Sequence, residues 1–360
     1  MFPPSRERRS SDMKKIISGF FFRAVRTAEL WIFVALIVVI SFANINTSTI
    51  GTKNLLTSNY QLTDTIEMTY EKAESFNSDL DIVIDSKIDY LISYLDFALV
   101  FPAIMAPLFT VLFMGKLFTG GALRNLISSG HSKTRVYLAS LIFGSSVTVL
   151  FNILSLVAMS LAMLIQRWKI PVFFPLLGTY ALYMFMADIV LLSVSLGILF
   201  VSKKPVVSLI AVAGVLVVFF TGSVGVTMAA LMVPERDFNY TKLKEYTEQH
   251  PDSEITIHRS FDIKNFCDII EVTENGEPID KNIYIGRPNP NHIEGTPRKI
   301  LVAGLYANPG CGFLMSLLLV VSHYRMWKDG LYIFFCLTNL IWIVGINAAG
   351  LMLFRRQELN

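Results

Sequence analysis

Apolar runs of about 20 residues recur along this chain, and they limit what it can fold into more than any other feature. Such a run, folded as a helix, is long enough to cross a bilayer core of about 30 Å. The chain has 360 residues, of which 53% are hydrophobic and only 16% are charged. Soluble domains carry more charge than this. The sequence therefore predicts an all-α polytopic membrane protein.

Charge and residue counts exclude several other classes of function. The formal net charge of +3 is too small to indicate nucleic-acid binding. The three cysteines form no CxxC pair, and the five histidines lack metal-ligand spacing, so no zinc or redox motif is present. The N-terminus is basic, but the apolar run after it is too long for a signal peptide. We expect that run to be a retained first helix.

The apolar runs and the polar stretches between them predict six transmembrane helices, a small α+β extracytoplasmic insert and a re-entrant or interfacial hairpin. The predicted segments are a cytoplasmic tail with an interfacial helix at 1–27, spans at 28–46, 96–115, 136–165, 172–201, 206–232 and 330–354, a cytoplasmic loop at 116–135, extracytoplasmic segments at 47–95 and 233–308, and the hairpin at 309–328. Residues 13–27 mix aromatic and basic side chains, which is typical of a helix in the membrane interface. A simple flank of the first span is the alternative.

The two polar inserts differ in composition. Residues 47–95 are acidic, and a helix is expected there at about 63–76. In the second insert, 254–258 and 282–286 are short β-type runs, separated by turn signals at Asn275-Gly276 and 288–291. This pattern predicts a small α+β lobe.

The basic residues predict the orientation, because lysine and arginine in short loops favour the cytoplasm. The N-terminal flank, the 116–135 loop, the Lys203-Lys204 turn and the Arg355-Arg356 tail are all basic. All four reach the cytoplasm if there are six spans. The protein is then expected to lie in the cell membrane with both termini in the cytoplasm.

That orientation leaves one apolar run that cannot span. Asn308, Pro309 and Gly310 interrupt it, and its uninterrupted part, 313–321, is too short to cross. We expect this hairpin to enter the outer leaflet and return, or to lie at the interface. Non-helical backbone is tolerated there only where it packs on protein.

The cytoplasmic loop after the second span carries a motif. It has no acidic residue between 120 and 140, and it reads Gly121-Ala122-Leu123-Arg124-Asn125, then Ser129-Gly130-His131-Ser132-Lys133-Thr134-Arg135. This resembles the Gly-Thr-(Ile/Leu)-Arg-Asn-Lys…Gly-His-(Ser/Thr)-(Arg/Lys) pattern of the type-2 family of ABC-transporter permeases, particularly six-span subunits associated with peptide-antibiotic export and immunity. Two departures are Ala122 in place of threonine and Gly115-Lys116-Leu117-Phe118 where the family often has an acidic residue.

The resemblance implies that the short helix after the second span docks on a separate cytosolic ABC ATPase. The implied coupling residues are Gly121, Leu123, Arg124, Asn125, Ser129, Gly130, His131 and Lys133. It also implies a second permease copy or a paralogue as partner, in a dimer that places the first and fifth spans at its interface. The glycines at 214, 222, 225, 345 and 350 suit such an interface, and packing within one subunit explains them almost as well.

The chemistry of these residues suits docking. Arg124 can make bidentate bonds to a carboxylate, and Gly130 suits the left-handed residue that ends a helix. Lys133 can bind acidic groups of a partner or anionic lipid. An ordinary basic loop that only sets orientation is the alternative.

The chain itself is not expected to be an enzyme or to bind a cofactor. Ser132-Lys133-Thr134 superficially resembles the end of a phosphate-binding loop, but Ile127 and Ser132 stand where that motif requires glycine. ATP and Mg²⁺ would therefore be bound by the partner.

Other polar residues allow more than one interpretation. Asp188 lies in the middle of the fourth span, where a charge is costly. It is either a substrate-path or dimer-interface residue, or a neutral acid bonded to a neighbour such as Asn152 or Asn347, with proton coupling as a weaker option. Cys267 and Cys311 would both lie outside the membrane, where a disulfide can form.

Three hypotheses of function follow. The first is an exporter subunit for a hydrophobic or amphipathic substrate, peptide-like or lipid-like. The second is a non-transporting sensor or scaffold that binds through its extracytoplasmic lobe. The third, an intramembrane enzyme, is weak because it needs a second catalytic group within a span, and all five histidines fall outside the spans.

Overall fold

The structure is a computed structural model that describes residues 6–43, 80–165, 174–215, 217, 222, 224–251, 253–262, 266–312 and 323–357. These residues are mostly helical, and four of their helices are long and apolar enough to cross a membrane. A fifth span is added if two helices joined by a sharp bend are one span. The prediction of a polytopic helical membrane protein is confirmed at this level.

The helices and strands are numbered here in chain order. The helices are α1 (Arg6–Val25), α2 (Ala28–Ala43), α3 (Leu80–Thr119), α4 (Ala122–Ser128), α5 (Lys133–Ile165), α6 (Phe174–Ser202), α7 (Pro205–Gly214), α8 (Val224–Leu231), α9 (Tyr240–Gln249), α10 (Lys281–Tyr284), α11 (Gly295–Ala307), α12 (His323–Lys328) and α13 (Leu331–Arg356). The strands are β1 (Arg236–Phe238), β2 (Ile255–Asp262), β3 (Cys267–Glu274), β4 (Glu277–Pro278) and β5 (Ile285–Pro288).

A bend of 73° separates α1 from α2, at the point where the sequence predicts an interfacial helix to become a span. Ile16, Phe20 and Ala24 recur every fourth residue on α1 and are buried. Phe20 packs edge-on against Phe143 of α5, with ring centroids 5.9 Å apart. Lys14, Lys15 and Arg23 are exposed. α1 thus lies across the bundle with an apolar face inward and basic residues outward.

The second apolar span is part of a longer helix than the sequence predicts. α3 runs from Leu80 to Thr119, and its apolar part is Leu99–Thr119. Pro102 and Pro107 lie inside it. The last part of the predicted 47–95 insert is therefore helical, whereas residues 47–79, with the helix expected at 63–76, lie outside the described residues.

Contacts between rings and side chains fix the relative directions of the five long apolar helices. α6 and α13 are parallel, because Tyr183 meets Phe335 near their starts and Phe200 meets Phe354 near their ends. α5 is antiparallel to α6, since Asn152 bonds Asp188 and Tyr137 packs on Phe200.

The other two apolar helices follow from the same kind of contact. α3 is antiparallel to α5, because Phe109 packs near Phe151 and Phe113 near Phe143. α2 is antiparallel to α3, because Glu29 pairs with Lys116 and Phe33 meets Phe109. The starts of α2 and α5 therefore lie at the same end of the bundle as the ends of α3, α6 and α13.

The predicted fifth span, 206–232, appears as two helices, α7 and α8, with the residues between them only partly described. α7 begins after a tight turn in which Lys203 has a φ of 58° and Lys204 is extended, the conformation favoured before proline. The connector 166–171 also lies outside the described residues. Six spans are consequently not established by the described residues.

The predicted α+β lobe is present between α8 and α11. β2 and β3 form an antiparallel hairpin, to which β4 adds through a turn at Asn275-Gly276, with φ values of 52° and 87°. β1 pairs with β5 in a second sheet. Leu243, Val272 and Tyr284 form the apolar core.

The β-type run expected at 282–286 is wrong in its first half. Asp280 accepts a hydrogen bond from the backbone N–H of Asn282 at 3.0 Å and starts the short helix α10. Only from Ile285 does the chain become a strand. A local side-chain cap therefore overrides the strand propensity of Ile283 and Tyr284.

A hydroxyl and a carboxylate hold α9 on the β2–β3 hairpin. Tyr246 donates to Glu274 at 2.7 Å. Hydrogen bonds from Ser253 and Tyr246 lower the pKa of Glu274, and the same contact with Glu274 raises the pKa of Tyr246. The lobe is thus tied together by polar contacts on its surface as well as by its small core.

Arg298 of α11 fastens the lobe to the helical bundle. Its guanidinium donates to the backbone carbonyls of Leu231 and Phe266, both at 2.9 Å, and of Ile293 at 3.2 Å. Phe266, at the end of the β2–β3 loop, is completely buried against the apolar cluster that contains Tyr332 and Phe335. Arg298 therefore joins the end of α8, the β2–β3 hairpin and the start of α11.

Candidate functional site

The basic elements predicted to share one face of the membrane lie together at one end of the bundle. That end carries α4, the Lys203-Lys204 turn, the start of α2 and the Arg355-Arg356 end of α13. Phe200, near the end of α6, joins the ends of α3 and α13 to the start of α5, because its ring packs on Phe118, Tyr137 and Phe354 with centroid distances of 4.8–5.0 Å. A single surface therefore presents α4 among basic residues.

Backbone geometry gives α4 well-defined ends. Gly121 starts the helix with a φ of 72°, a conformation that favours glycine. At the other end Gly130 has a φ of 96°, as the sequence predicts for it. The N–H of Gly130 bonds to the carbonyl of Ile127 at 3.1 Å, and that of His131 bonds to Leu126 at 3.2 Å. This pair of bonds is the Schellman motif.

α4 is anchored on one side and exposed on the other. Leu123 is 1% exposed and belongs to the apolar cluster that includes Leu117 and Val136. Arg124 and Asn125 are exposed, as are Ser128 and Ser129. Within the described part of the chain, the Arg124 side chain makes no hydrogen bond or ion pair. The helix therefore presents a polar surface with an arginine at its centre, supported from below by α3 and α5.

Two predicted coupling residues do not lie on that polar surface of α4. His131 is half-buried after the Schellman motif. Lys133 turns toward the end of α13, where its ammonium donates to the carbonyls of Arg355, at 3.3 Å, and of Gln357. The sequence predicts an acidic partner or anionic lipid for Lys133. In the structure its ammonium instead donates to main-chain carbonyls of its own chain.

An acidic residue of α2 pairs with the start of the 116–135 loop, although the loop sequence itself has none. Glu29, at the start of α2, forms an ion pair with Lys116, at the end of α3. Lys116 stands in the stretch where the resembled pattern often has an acid. Sequence analysis missed this pair because its two residues lie 87 positions apart. Here a neighbouring helix supplies the carboxylate.

The three polar residues singled out within the spans, Asp188, Asn152 and Asn347, fall into two separate groups. Asp188 is 1% exposed and accepts a hydrogen bond from the Asn152 amide at 2.8 Å. Asn347 bonds instead to Tyr137 at 3.0 Å and Ser193 at 2.8 Å. Of the two neighbours considered for Asp188, the structure brings Asn152 to it and not Asn347. Tyr137 and Ser193 were not identified from the sequence because single hydroxyls in spans are common.

The residues of the predicted hairpin form a buried turn after α11. Asn308, Pro309 and Gly310 are all buried, and the Asn308 side chain accepts a hydrogen bond from the backbone N–H of Gly310 at 2.9 Å. The Trp342 indole of α13 donates to the carbonyl of Ala307 at 2.8 Å. The helix that leads into the turn is α11, which begins at Gly295 and ends just before the predicted hairpin at 309–328. Residues 313–322 lie outside the described part.

The suggested disulfide remains a prediction. Cys311 is buried in the turn after Gly310, whereas the side chain of Cys267 is outside what the structure describes. Cys336 is partly buried against the apolar cluster around Tyr332.

Of the glycines considered for a helix interface, Gly350 packs against other helices of the same subunit, and a Cβ at Gly222 would lie 3.0 Å from the carbonyl oxygen of Val217. A Cβ at Gly350 would lie 2.8 Å from the Tyr137 hydroxyl and 3.2 Å from the Gly197 Cα. Gly214, Gly225 and Gly345 have no such neighbour within 4 Å.

Comparisons with known proteins do not add a family: no family profile, characterised protein or solved structure matches this chain.

Proposed function

We propose that this chain is the membrane-spanning permease subunit of an ATP-driven ABC exporter. The observation that carries the proposal is α4: a short helix with glycine-defined ends, anchored by Leu123 and presenting Arg124 and Asn125 from a basic end of the bundle. The resemblance of its sequence to the coupling loop of type-2 permeases supports the same role. The partner is a separate cytosolic ATPase that binds ATP and Mg²⁺.

The proposed orientation has six spans and places α4 in the cytoplasm. It follows from the basic residues at that end and from the lobe at the other end, since basic loops favour the cytoplasm. α7 and α8 would form the fifth span, with both termini cytoplasmic in the cell membrane.

The contacts of α4 indicate how force would reach the spans. α4 follows α3 after Gly120 and Gly121, and α5 starts at Lys133, so both neighbouring helices are joined to it by a few residues. Leu123 belongs to the same buried apolar cluster as Leu117 of α3 and Val136 of α5. Closure of ATPase subunits around ATP would displace α4 as a unit and tilt α3 and α5. In a dimer, with a second copy or a paralogue, this motion would move a hydrophobic or amphipathic peptide-like or lipid-like substrate outward.

A non-transporting sensor or scaffold is the second candidate. The observation that favours it is the lobe, which has an apolar core of its own in Leu243, Val272 and Tyr284. Such a protein requires no ATPase partner, so one experiment separates the two.

The substitution Arg124→Glu is expected to abolish recovery of an ATPase with this protein. A glutamate at the centre of the polar surface of α4 would repel the carboxylate that the arginine is proposed to bind, and truncating one partner of such a pair costs about 2–5 kcal/mol. The measurement is a pull-down in mild detergent from native cells, followed by mass spectrometry.

The matched control is Lys204→Glu, which makes the same charge change at an exposed lysine of the same end and should leave the ATPase bound. Recovery of an ATPase with wild type and the control, but not with Arg124→Glu, is the expected result. A folded wild-type protein that brings down no ATPase would favour the sensor or scaffold.

A further inference from the structure

Lys133 lies between the proposed coupling helix and the last helix of the bundle. It is the first residue of α5 and follows Gly130, which closes α4, by three positions. The Schellman bonds at Gly130 and His131 leave little free chain between α4 and Lys133. A displacement of α4 therefore carries the Lys133 backbone with it.

The Lys133 side chain serves the C-terminus of α13. A helix leaves its last four carbonyls without intrahelical partners, and a positive charge there is favourable. The Lys133 ammonium donates to the carbonyls of Arg355 and Gln357 and lies 5.9 Å from the Phe354 ring centroid. One lysine thus caps the end of α13 from a different helix.

The same end of α13 is held on α6. Phe354 is completely buried and packs edge-on against Phe200 at 4.8 Å. The Gln357 amide donates to the carbonyl of Val201 at 2.8 Å. The segment Phe354–Gln357, which we call the C-terminal clamp, therefore depends on contacts from both α5 and α6.

The far end of α13 meets the buried turn after α11. Phe335 lies against Gly312 and packs near Tyr306, with ring centroids 6.1 Å apart, while Trp342 bonds to Ala307. α13 is one continuous helix from Leu331 to Arg356 and contains no proline. It can therefore transmit a displacement of its C-terminus to the turn.

We infer that Lys133 is a positioning residue that couples α4 to α13, so that movement of α4 reaches the buried turn at Asn308–Gly312 through the C-terminal clamp. This inference rests on the proposed function, since it is the ATPase that moves α4. It identifies α13 as the connection between the ATPase and the side of the bundle that carries the lobe.

The clamp is tested first without nucleotide. The native cysteines are replaced by alanine, and Leu351→Cys, one turn before the clamp, provides one partly buried thiol whose rate of maleimide labelling is measured in the purified protein. Lys133→Met should raise that rate about tenfold or more, because it removes charge-assisted bonds while keeping the length of the side chain. Lys133→Arg, which still donates to carbonyls, should restore the slow rate, and Lys204→Met should not change it. An unchanged rate in Lys133→Met would overturn the inference.

Coupling is tested in the complex isolated from native cells. A cysteine in place of the exposed Lys299 of α11 reports on the helix that leads into the turn. Trapping with ATP and vanadate should change its labelling rate in wild type and in Lys133→Arg. In Lys133→Met the ATPase should still co-purify, but the nucleotide-dependent change should be lost.

The outcomes separate the two proposals. A full nucleotide response in Lys133→Met would overturn the role of Lys133 and leave the exporter proposal standing. Failure to recover any ATPase with wild type would contradict the exporter proposal, and the coupling role with it, even if the clamp opens as expected.

Discussion

Replacing Asn152 by leucine is expected to be the most damaging single change within the spans. Asp188 is 1% exposed, and the Asn152 amide is its hydrogen-bond donor among the described residues. Asn152→Leu would leave the buried carboxyl without that donor, at a cost of about 3 kcal/mol. The apparent melting temperature in mild detergent should fall sharply.

The reverse change should be much milder. In Asp188→Leu the Asn152 amide keeps its bond to the carbonyl of Thr148 at 2.9 Å, so only one N–H of a neutral amide loses its acceptor, which costs less than an unpaired buried carboxyl. The double variant Asn152→Leu/Asp188→Leu should be more stable than Asn152→Leu alone, because replacing both partners by apolar groups can be nearly neutral. The control is Ser160→Leu, on an exposed position of the same helix. Equal melting temperatures for Asn152→Leu and the control would show that the pair contributes nothing.

The second large effect is expected for Gly350→Leu. α13 approaches α5 and α6 so closely here that even a Cβ would lie 2.8 Å from the Tyr137 hydroxyl. That hydroxyl is held by its bond to Asn347 at 3.0 Å, so it cannot move without losing the bond. Overpacking and loss of the bond together should cost about 3 kcal/mol, measured as a lower apparent melting temperature.

Gly345 offers a matched control on the same helix, because a Cβ there would meet no atom within 4 Å. Gly345→Leu should leave the melting temperature of the isolated subunit close to that of wild type. If the two leucine variants are equally unstable, the loss reflects helix propensity or lipid contact and not the close approach of α13 to Tyr137.

Local patterns predicted the features that depend on a few adjacent residues. Gly130 was expected in a left-handed conformation after a short helix, and its φ is 96°. The Asn275-Gly276 turn and the bend before Ala28 also lie where the sequence placed them. The turns at Gly130 and Asn275-Gly276 follow from steric limits on one or two residues, which act regardless of the rest of the fold. The bend lies where a mixed basic and aromatic stretch gives way to an apolar run.

Features that depend on distant partners were not predicted. Lys133 finds its acceptors more than 220 positions later in the chain, with sequence separations of 222 and 224, and Glu29 finds Lys116 on another helix. For Lys133 the composition predicts a generic anionic partner, because a sequence does not show which carbonyls or carboxylates the fold brings near. The acidic composition of 47–95 predicts an insert, yet its last part, from Leu80 onward, is the beginning of the long helix α3.

The most direct test of the exporter proposal is a photo-crosslink from the surface of α4. A photoreactive amino acid at the exposed position of Asn125, activated in native cells, should form a covalent adduct with a P-loop ATPase identifiable by mass spectrometry. The same amino acid at Lys281, exposed on the lobe, should give no such adduct. Adducts from Asn125 with lipid alone, or an ATPase captured equally from Lys281, would contradict the proposal.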